Sequence, residues 1–203
     1  VIAVVGQTRH ARQVAASGVD AIVAQGHDGG GHNAPIGSLA LIPQVVDAVG
    51  GIPVLGAGGI GDGRGVAAAL LLGAEGVWIG TAFLATLEAG IADFQKQALV
   101  EASDASTTIS RCITGKPARS LRSKWTQAFE ESELEPLPMP YQSIVAMPVL
   151  AAATRARRAD IAPGFAGQAL GLIHRVRSAA EVLRDLAAGA ERALNAGPSF
   201  TAR

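Results

Sequence analysis

The residues with the clearest potential for chemistry lie in one glycine-rich stretch, GHDGGGH, at positions 26–32. His32 at its end could act as a general base or hold a substrate, because imidazole is the side chain whose unperturbed pKa is closest to neutrality. A structural role, in which His32 caps the loop or the next helix, stays open. So does a metal site made from His27, Asp28 and His32, whose side chains can all bind transition metals. No further acidic or cysteine ligand lies nearby in the sequence, so we predict no metal.

Two further loops could bind an anion. Gly58 and Gly59 follow one apolar run, and Gly80 and Thr81 follow the next. Without a side chain in the way, backbone N–H groups can approach phosphate oxygens, and a helix that begins near Gly80 would add donors. The alternative is that these glycines only make tight turns. The chain lacks both the GxxxxGK[ST] motif and a GxGxxG within a Rossmann unit, which disfavours ATP or a dinucleotide as the ligand.

Short apolar runs precede these loops and predict buried strands. Each run lacks strict alternation of polar and apolar residues, and a stretch of helix-forming residues follows it. This pattern is typical of a parallel sheet covered by helices, because both faces of such strands must be apolar. Asp62 is the expected N-cap of one helix, and Gly18 and Gly73 are the expected ends of two helices. We predict strands at about 1–5, 20–24, 52–55 and 76–79, and helices at about 9–17, 38–49 and 62–72.

Four strand–helix units make up half of a (β/α)8 barrel. We therefore predict an α/β fold, with the C-terminal half of a TIM barrel in residues 1–88 and a helical extension in residues 89–203 that completes and covers the barrel. Half a barrel leaves open strand edges, so an upstream half or another chain should supply the rest. Because the sequence opens on an apolar run without an initiator methionine, we favour an upstream half. The extension should contain helices at about 91–102, 120–131, 142–158 and 179–194, and a frayed tail at 197–203.

Composition and charge limit the classes of partner. The formal net charge is zero and the pI is near 7.1, which removes the electrostatic reason to expect nucleic acid or an anionic membrane surface. No apolar run approaches the roughly 20 residues that span a bilayer. Cys112 is the only cysteine, so no intrachain disulfide can form. We expect a cytoplasmic protein in which Cys112 is a small buried residue.

Three segments together resemble one known family, the nitronate monooxygenases, formerly called 2-nitropropane dioxygenases. They are VDAIVAQGHDGGGH at 19–32, IPVLGAGGIGDGRG at 52–65 and GVWIGTAFLAT at 76–86. The resemblance continues through GKPAR at 115–119 and FAGQ at 165–168, so it covers essentially the whole sequence, from the family's fifth barrel strand onwards. It implies an FMN-dependent TIM barrel that oxidises alkyl nitronates with O2 to a carbonyl compound and nitrite, with a homodimer as a further possibility.

The resemblance also assigns roles to residues. His32 would be the active-site histidine, which removes a proton from a neutral nitroalkane or positions the nitro oxygens of a nitronate. Gln25 matches a position near the flavin ring where family members often carry an acidic residue, and Gln168 would approach the cofactor from the helical layer. The glycine stretch would pass near the flavin, and the two anion loops would hold its phosphate. The cofactor-binding residues implied in this way are Gln25, Gly29, Gly30, Gly31, Gly58, Gly59, Gly80, Thr81 and Gln168.

Two other functions stay open. Related barrels share the phosphate loops, so the chain could belong to an NAD(P)H-dependent flavin reductase that acts on quinones or on enoyl thioesters. A function of a different class is a ligand-binding barrel that has kept the loops but binds no flavin and catalyses nothing.

Several other side chains have two interpretations each. Arg64 could reach a phosphate or lie exposed on a helix. The basic stretch formed by Arg119, Arg122 and Lys124 could contact nucleic acid, but a solvated helix face or an interdomain contact fits the neutral net charge better. Three apolar residues could line the substrate pocket or pack in the core, and core packing is the expected outcome: Met139, Tyr141 and Phe165.

Overall fold

Four short strands form a parallel sheet in the first part of the chain. In the computed structural model, which describes residues 1–162 and 164–196, the first two strands are β1 (Ile2–Val5) and β2 (Ala21–Gln25). A two-residue strand, β3 (Gly31–His32), belongs to a different sheet, and β4 (Val54–Ala57) and β5 (Gly76–Trp78) return to the first one. The order in this sheet is β1–β2–β4–β5, and every neighbouring pair is parallel.

A helix follows each strand of the parallel sheet, as the sequence predicted. These helices are α1 (Thr8–Ala16), α2 (Ser38–Val49), α3 (Gly63–Leu71) and the single-turn α4 (Thr81–Leu84). The strands bury apolar side chains against the helices, which removes apolar surface from water and stabilises this α/β layer. The centre of this core contains Ile22, Ala24, Leu41, Val45, Val54 and Ala69.

Asp62 is the N-cap of α3, which confirms the expectation from the sequence. Its carboxylate accepts hydrogen bonds from the backbone N–H groups of Arg64, at 2.9 Å, and Gly65, at 3.3 Å. Partial burial by itself would raise the pKa of Asp62, but the hydrogen bonds from Arg64 and Gly65 outweigh it and lower the pKa. The charged carboxylate therefore satisfies amides that would otherwise lack a partner at the start of the helix.

Asp62→Ala should lower the free energy of unfolding by about 1 kcal/mol, because it leaves the first amides of α3 without an acceptor. Urea unfolding followed by circular dichroism measures the change. Asp47→Ala is a matched control for the loss of an aspartate, since Asp47 is exposed in the last turn of α2, away from the first amides of that helix. Equal unfolding midpoints for the two variants would contradict the capping role.

The second part of the chain contains a small antiparallel sheet as well as helices. After α5 (Asp93–Glu101) come β6 (Thr107–Ser110) and β7 (Ala118–Leu121), and the order in this sheet is β3–β7–β6. The expectation of a purely helical extension is therefore wrong for residues 107–121. The β-branched residues of β6 were a local signal for a strand. Its partners, however, depend on the distant glycine stretch that supplies β3.

Three long helical segments complete the described chain. They are α6 (Lys124–Glu130), α7 (Tyr141–Arg155) and α8 (Ala179–Ala196). The helix expected at 120–131 begins later, because residues 120–121 end β7 and the side chain of Ser123 caps α6. The predicted tail at 197–203 lies outside the described residues. None of the helices in the described ranges is both long and apolar enough to cross a bilayer.

The C-terminal helix α8 packs closely on α3 of the parallel layer. A Cβ built on Gly63 would lie only 2.3 Å from the carbonyl carbon of Gly189, so the two backbones touch where the helices cross. Glycine at both positions permits this close approach. A second group of buried apolar residues lies beside this contact and includes Leu99, Leu121, Leu170, Val182 and Leu186.

Candidate active site

The carboxyl ends of β2, β4 and β5 open onto one cavity of about 210 Å³. Parallel strands end on the same edge of a sheet, so the loops that follow them converge there. The register of the sheet places Ala57 beside Trp78, and the two anion loops begin one residue after Ala57 and two residues after Trp78. The predicted cofactor-binding residues on the cavity wall are Gln25, Gly29, Gly30, Gly31, Gly58, Gly59, Gly80 and Thr81.

The two anion loops present backbone donors to this cavity. Within the described residues, the amides of Gly58, Gly59, Gly80 and Thr81 donate no hydrogen bond. Gly58 and Gly59 have φ of +96° and +70°, a conformation that other residues rarely adopt. Unpaired amides on a concave wall are suited to binding the oxygens of an anion.

Gly80 is different, because its backbone does not require glycine. Its φ is −102° and its ψ is −65°, within reach of any residue. A Cβ at this position would meet no atom within 4 Å, since it would project into open space. Because Gly80 is part of the cavity wall, we expect a side chain here to project towards the cavity. A phosphate group bound by these amides fits the glycine at this position.

The glycine stretch is held against the segment that contains Gly167. A Cβ on Gly30 would lie 2.7 Å from the carbonyl carbon of Ala166, so the two backbones are in contact. The amide of Gly167 donates to the hydroxyl of Thr81 at 3.0 Å. The cavity is therefore closed on one side by a segment far away in the sequence, and Gly167 is a wall residue that the sequence analysis missed.

Asp28 holds three segments together beneath the cavity. Its carboxylate accepts from the amide of Ser38 at 2.8 Å, and its carbonyl accepts from the amide of Gln168 at 2.9 Å. Partial burial by itself would raise the pKa of Asp28, but hydrogen bonds from Ser38 outweigh it and lower the pKa. These contacts tie the start of α2 to the glycine stretch and to the 3-10 helix at 168–172.

The alternative of a metal site receives no support from these contacts. The carboxylate of Asp28 is engaged by Ser38, and Nδ1 of His27 lies 3.0 Å from the carbonyl oxygen of Ala34. Among the residues that the structure describes, no three histidine, cysteine, aspartate or glutamate side chains are grouped in a way that could hold a metal ion.

Two of the predicted site residues do not lie on the cavity wall. Gln168 lines a neighbouring cavity of about 360 Å³ that shares Gly58, Gly59 and Ile60 with the main one. Its backbone amide also donates to the carbonyl of Asp28. His32 follows the wall residue Gly31, but its ring is exposed and its Nε2 lies 2.7 Å from the hydroxyl oxygen of Thr114. The side-chain amide of Gln25 donates to the backbone carbonyl of His32 at 2.7 Å. The roles of Gln168 and His32 thus stay predictions.

The expected basic stretch is not a continuous surface. Arg119 is only 5% exposed, and its guanidinium donates to the carbonyl of His27 at 3.0 and 3.2 Å. Burial lowers the pKa of Arg119, although the charge of Asp28 acts in the opposite direction. The other two cations form ion pairs, Arg122 with Glu130 and Lys124 with Asp160.

The other side chains considered in the sequence analysis differ in their exposure and contacts. Met139 and Tyr141 are 45% and 61% exposed, and Phe165 is 39% exposed and lines the cavity, so the expectation of core packing is wrong for all three. Arg64 is exposed and paired with Asp62 rather than directed at the cavity. Cys112 is fully buried, as expected. Wall residues that the sequence analysis did not single out are Ala57, Ile60, Trp78, Ile79, Leu84 and Ala169.

The fold and the cavity define an α/β protein whose site lies at the carboxyl ends of parallel strands and presents unpaired backbone amides. A sequence profile described as nitronate monooxygenase matches residues 1–189. The chain belongs to this family.

Individual relatives agree with this assignment. The chain is 46% identical over 193 residues to a Mycobacterium tuberculosis protein named "Putative monooxygenase", and the match covers 92% of this chain and 52% of that protein. A nitroalkane oxidase from Streptomyces ansochromogenes is 36% identical with a TM-score of 0.87, over 96% of this chain and 58% of that one. For FabK from Thermotoga maritima, the identity is 33% and the TM-score 0.81, over 97% and 62%. The chain thus spans about half the length of the curated relatives it matches.

Proposed function

We propose that this protein oxidises alkyl nitronates with FMN and O2 and releases a carbonyl compound and nitrite. The observation that carries the proposal is the set of unpaired amides in two adjacent loops that face one cavity, in a chain of the nitronate monooxygenase family. When bound, FMN supplies the electron acceptor for the nitronate.

The backbone would bind the phosphate of FMN. The amides of Gly58, Gly59, Gly80 and Thr81 have no partner among the described residues, and no cationic side chain lines the cavity there. Neutral amides bind an anion by charge-assisted hydrogen bonds, each roughly twice as strong as a neutral bond. The apolar walls formed by Ile79 and Leu84 exclude water from the same space and strengthen these bonds.

His32 is proposed as the base for neutral nitroalkanes. The hydroxyl of Thr114 donates to the carbonyl of Lys116 at 3.2 Å and accepts from the amide of Lys116 at 3.3 Å. With its proton used in this way, the same oxygen is suited to accept from Nε2–H of His32 at 2.7 Å. In this tautomer Nδ1 keeps a lone pair, which takes the proton from the carbon beside the nitro group and leaves the nitronate. Because the ring stays bonded to Thr114, the nitroalkane would have to approach it from the side of the wall residue Gly31.

We further propose that residues 1–88 form the C-terminal half of a (β/α)8 barrel and that residues 89–203 form a layer over it. Two features support this arrangement. Within the described residues β1 pairs on one side only, with β2, and its Ile2 and Val4 are 50% and 57% exposed. An exposed apolar edge strand can pair with other chains and cause aggregation, and closure of a barrel removes this free edge. The relatives, about twice as long as this chain, have room for the other strands.

Anaerobic reduction distinguishes the proposed function from its alternatives. In the purified protein that contains flavin, we expect ethyl nitronate to bleach the oxidised flavin band, whereas NADH and NADPH leave it unchanged. Rapid bleaching by NADH or NADPH would indicate the flavin reductase instead. A colourless protein that stays free of flavin after incubation with FMN would indicate the non-catalytic barrel.

A further inference from the structure

A second cavity shares Phe165 with the candidate active site. It has a volume of about 460 Å³, which falls within the roughly 300–1,000 Å³ of small-molecule sites, whereas the first cavity at about 210 Å³ is smaller than that range. It lies between β7, α7 and the residues Ile161, Ala162, Gly164 and Phe165. Its apolar wall consists of Ile113, Leu121, Met147, Leu150, Ala151 and Ile161.

Three of the five polar side chains on this second wall bond to the protein itself, whereas those of Ser120 and Arg155 make no hydrogen bond within the described residues. The side-chain amide of Gln95 donates to the carbonyl of Ala162 at 2.9 Å, and the hydroxyl of Ser123 accepts from the backbone N–H of Thr126 in α6. The hydroxyl of Thr154 donates to a carbonyl one turn earlier in α7, at 2.9 Å. Arg155 is exposed. Apart from Ser120 and Arg155, the cavity offers apolar contact, so the group that it binds should be largely apolar.

The backbone around Phe165 is anchored on both sides. The carbonyl of Gly164 accepts from the amide of Leu121 at 3.1 Å, and the amide of Gly167 donates to Thr81 at 3.0 Å. Phe165 itself forms a β-bridge with Ser120. Its residue surface is nevertheless 39% exposed, so the ring can change rotamer while the backbone stays in place. Phe165 thus lies between the two cavities, on a backbone that is held on both sides.

We propose that the second cavity binds an apolar substituent of the substrate, such as an extended alkyl chain, while the reacting carbon lies in the first cavity. Phe165 would decide which substituents pass from one cavity to the other. This inference rests on the proposed function for the identity of the reacting group. Binding of an apolar chain in the second cavity does not require flavin chemistry, and it can be measured separately.

Calorimetric titration of the purified protein with 1-butanol, 1-hexanol and 1-octanol tests the binding step. Each added methylene that is buried should tighten binding about three- to fourfold. Ala151→Phe fills the second cavity and should remove this dependence on chain length. Ala152→Phe is the matched control on the same helix, because Ala152 is exposed and does not line the cavity; it should behave like the parent.

Turnover of a nitronate series tests the link to the active site. The ratio of kcat/KM for 1-octyl nitronate to that for ethyl nitronate should exceed about ten in the parent and fall at least about tenfold in Ala151→Phe but not in Ala152→Phe. If the affinity of the parent for the alkanols does not rise with chain length, the inference is wrong even if nitronates are oxidised. This measurement needs only the parent, so it remains a test if Ala151→Phe does not fold. Equal ratios in parent and Ala151→Phe would also overturn it. The protein could bind alkanols, lose this binding in Ala151→Phe, and yet not oxidise nitronates. That result would support the assignment of the cavity and refute only the proposed reaction.

Discussion

Gly80→Leu should weaken FMN binding about a hundredfold while leaving the protein folded. The backbone of Gly80 suits any residue, and a Cβ there meets no atom within 4 Å, so the substitution causes no clash with the protein. The leucine side chain would instead occupy the space in front of the amides of Gly80 and Thr81. Loss of two charge-assisted hydrogen bonds of about 1.5 kcal/mol each corresponds to this factor.

Fluorescence titration of the flavin-free protein with FMN measures the effect, and thermal unfolding of the same samples reports on the fold. Gly90→Leu is the matched control, because Gly90 is also free of neighbours within 4 Å but does not line the cavity. If Gly80→Leu binds FMN as tightly as Gly90→Leu, the phosphate does not lie at this loop. A Gly80→Leu protein that is unfolded would refute the claim that the site is open space.

His32→Ala should slow the oxidation of neutral nitroalkanes by about 10²- to 10⁴-fold, the range that a general base contributes. An already ionised nitronate needs no proton removed, so its oxidation should fall far less. Steady-state rates with nitroethane and with preformed ethyl nitronate measure the two effects. His10→Ala provides the control, since His10 is exposed on α1.

Thr114→Val tests whether the ring is oriented through Nε2. It removes the oxygen that lies 2.7 Å from His32, and it should lower the nitroethane rate in part, with Thr114→Ser restoring it. A nitroethane rate in His32→Ala equal to that of the parent would refute the assignment of the base. Equal losses for nitroethane and its nitronate would instead point to a role in holding the nitro group.

The parallel layer was predictable because its signals are local. Each short apolar run carries its own strand preference, each following helix has local start and stop residues, and the helix predicted at 38–49 has those bounds in the structure. Asp62 caps α3 through amides two and three residues away. Interactions at such short range can be inferred from spacing alone.

The antiparallel sheet could not be predicted in the same way. Its strand β7 pairs with β3, which contributes only Gly31 and His32 from a glycine-rich stretch without strand propensity. Such a pairing depends on chain segments brought together by the fold, and tertiary context overrides local preference there. The buried position of Arg119 has the same origin, because its hydrogen-bond partner His27 belongs to that distant stretch.

The sequence alone was sufficient to predict the alternation of strands and helices, the two glycine loops after successive strands, and the family of the chain. Only the tertiary structure decided that these loops face one cavity with Gly167 on its far wall, that the ring of His32 contacts Thr114 instead of the cavity, and that Phe165 separates two cavities. The physical reason is that strand and turn preferences depend on neighbouring residues, whereas the direction of a side chain depends on the atoms packed around it. These atoms come from distant segments: His32 and Thr114, for example, are 82 residues apart.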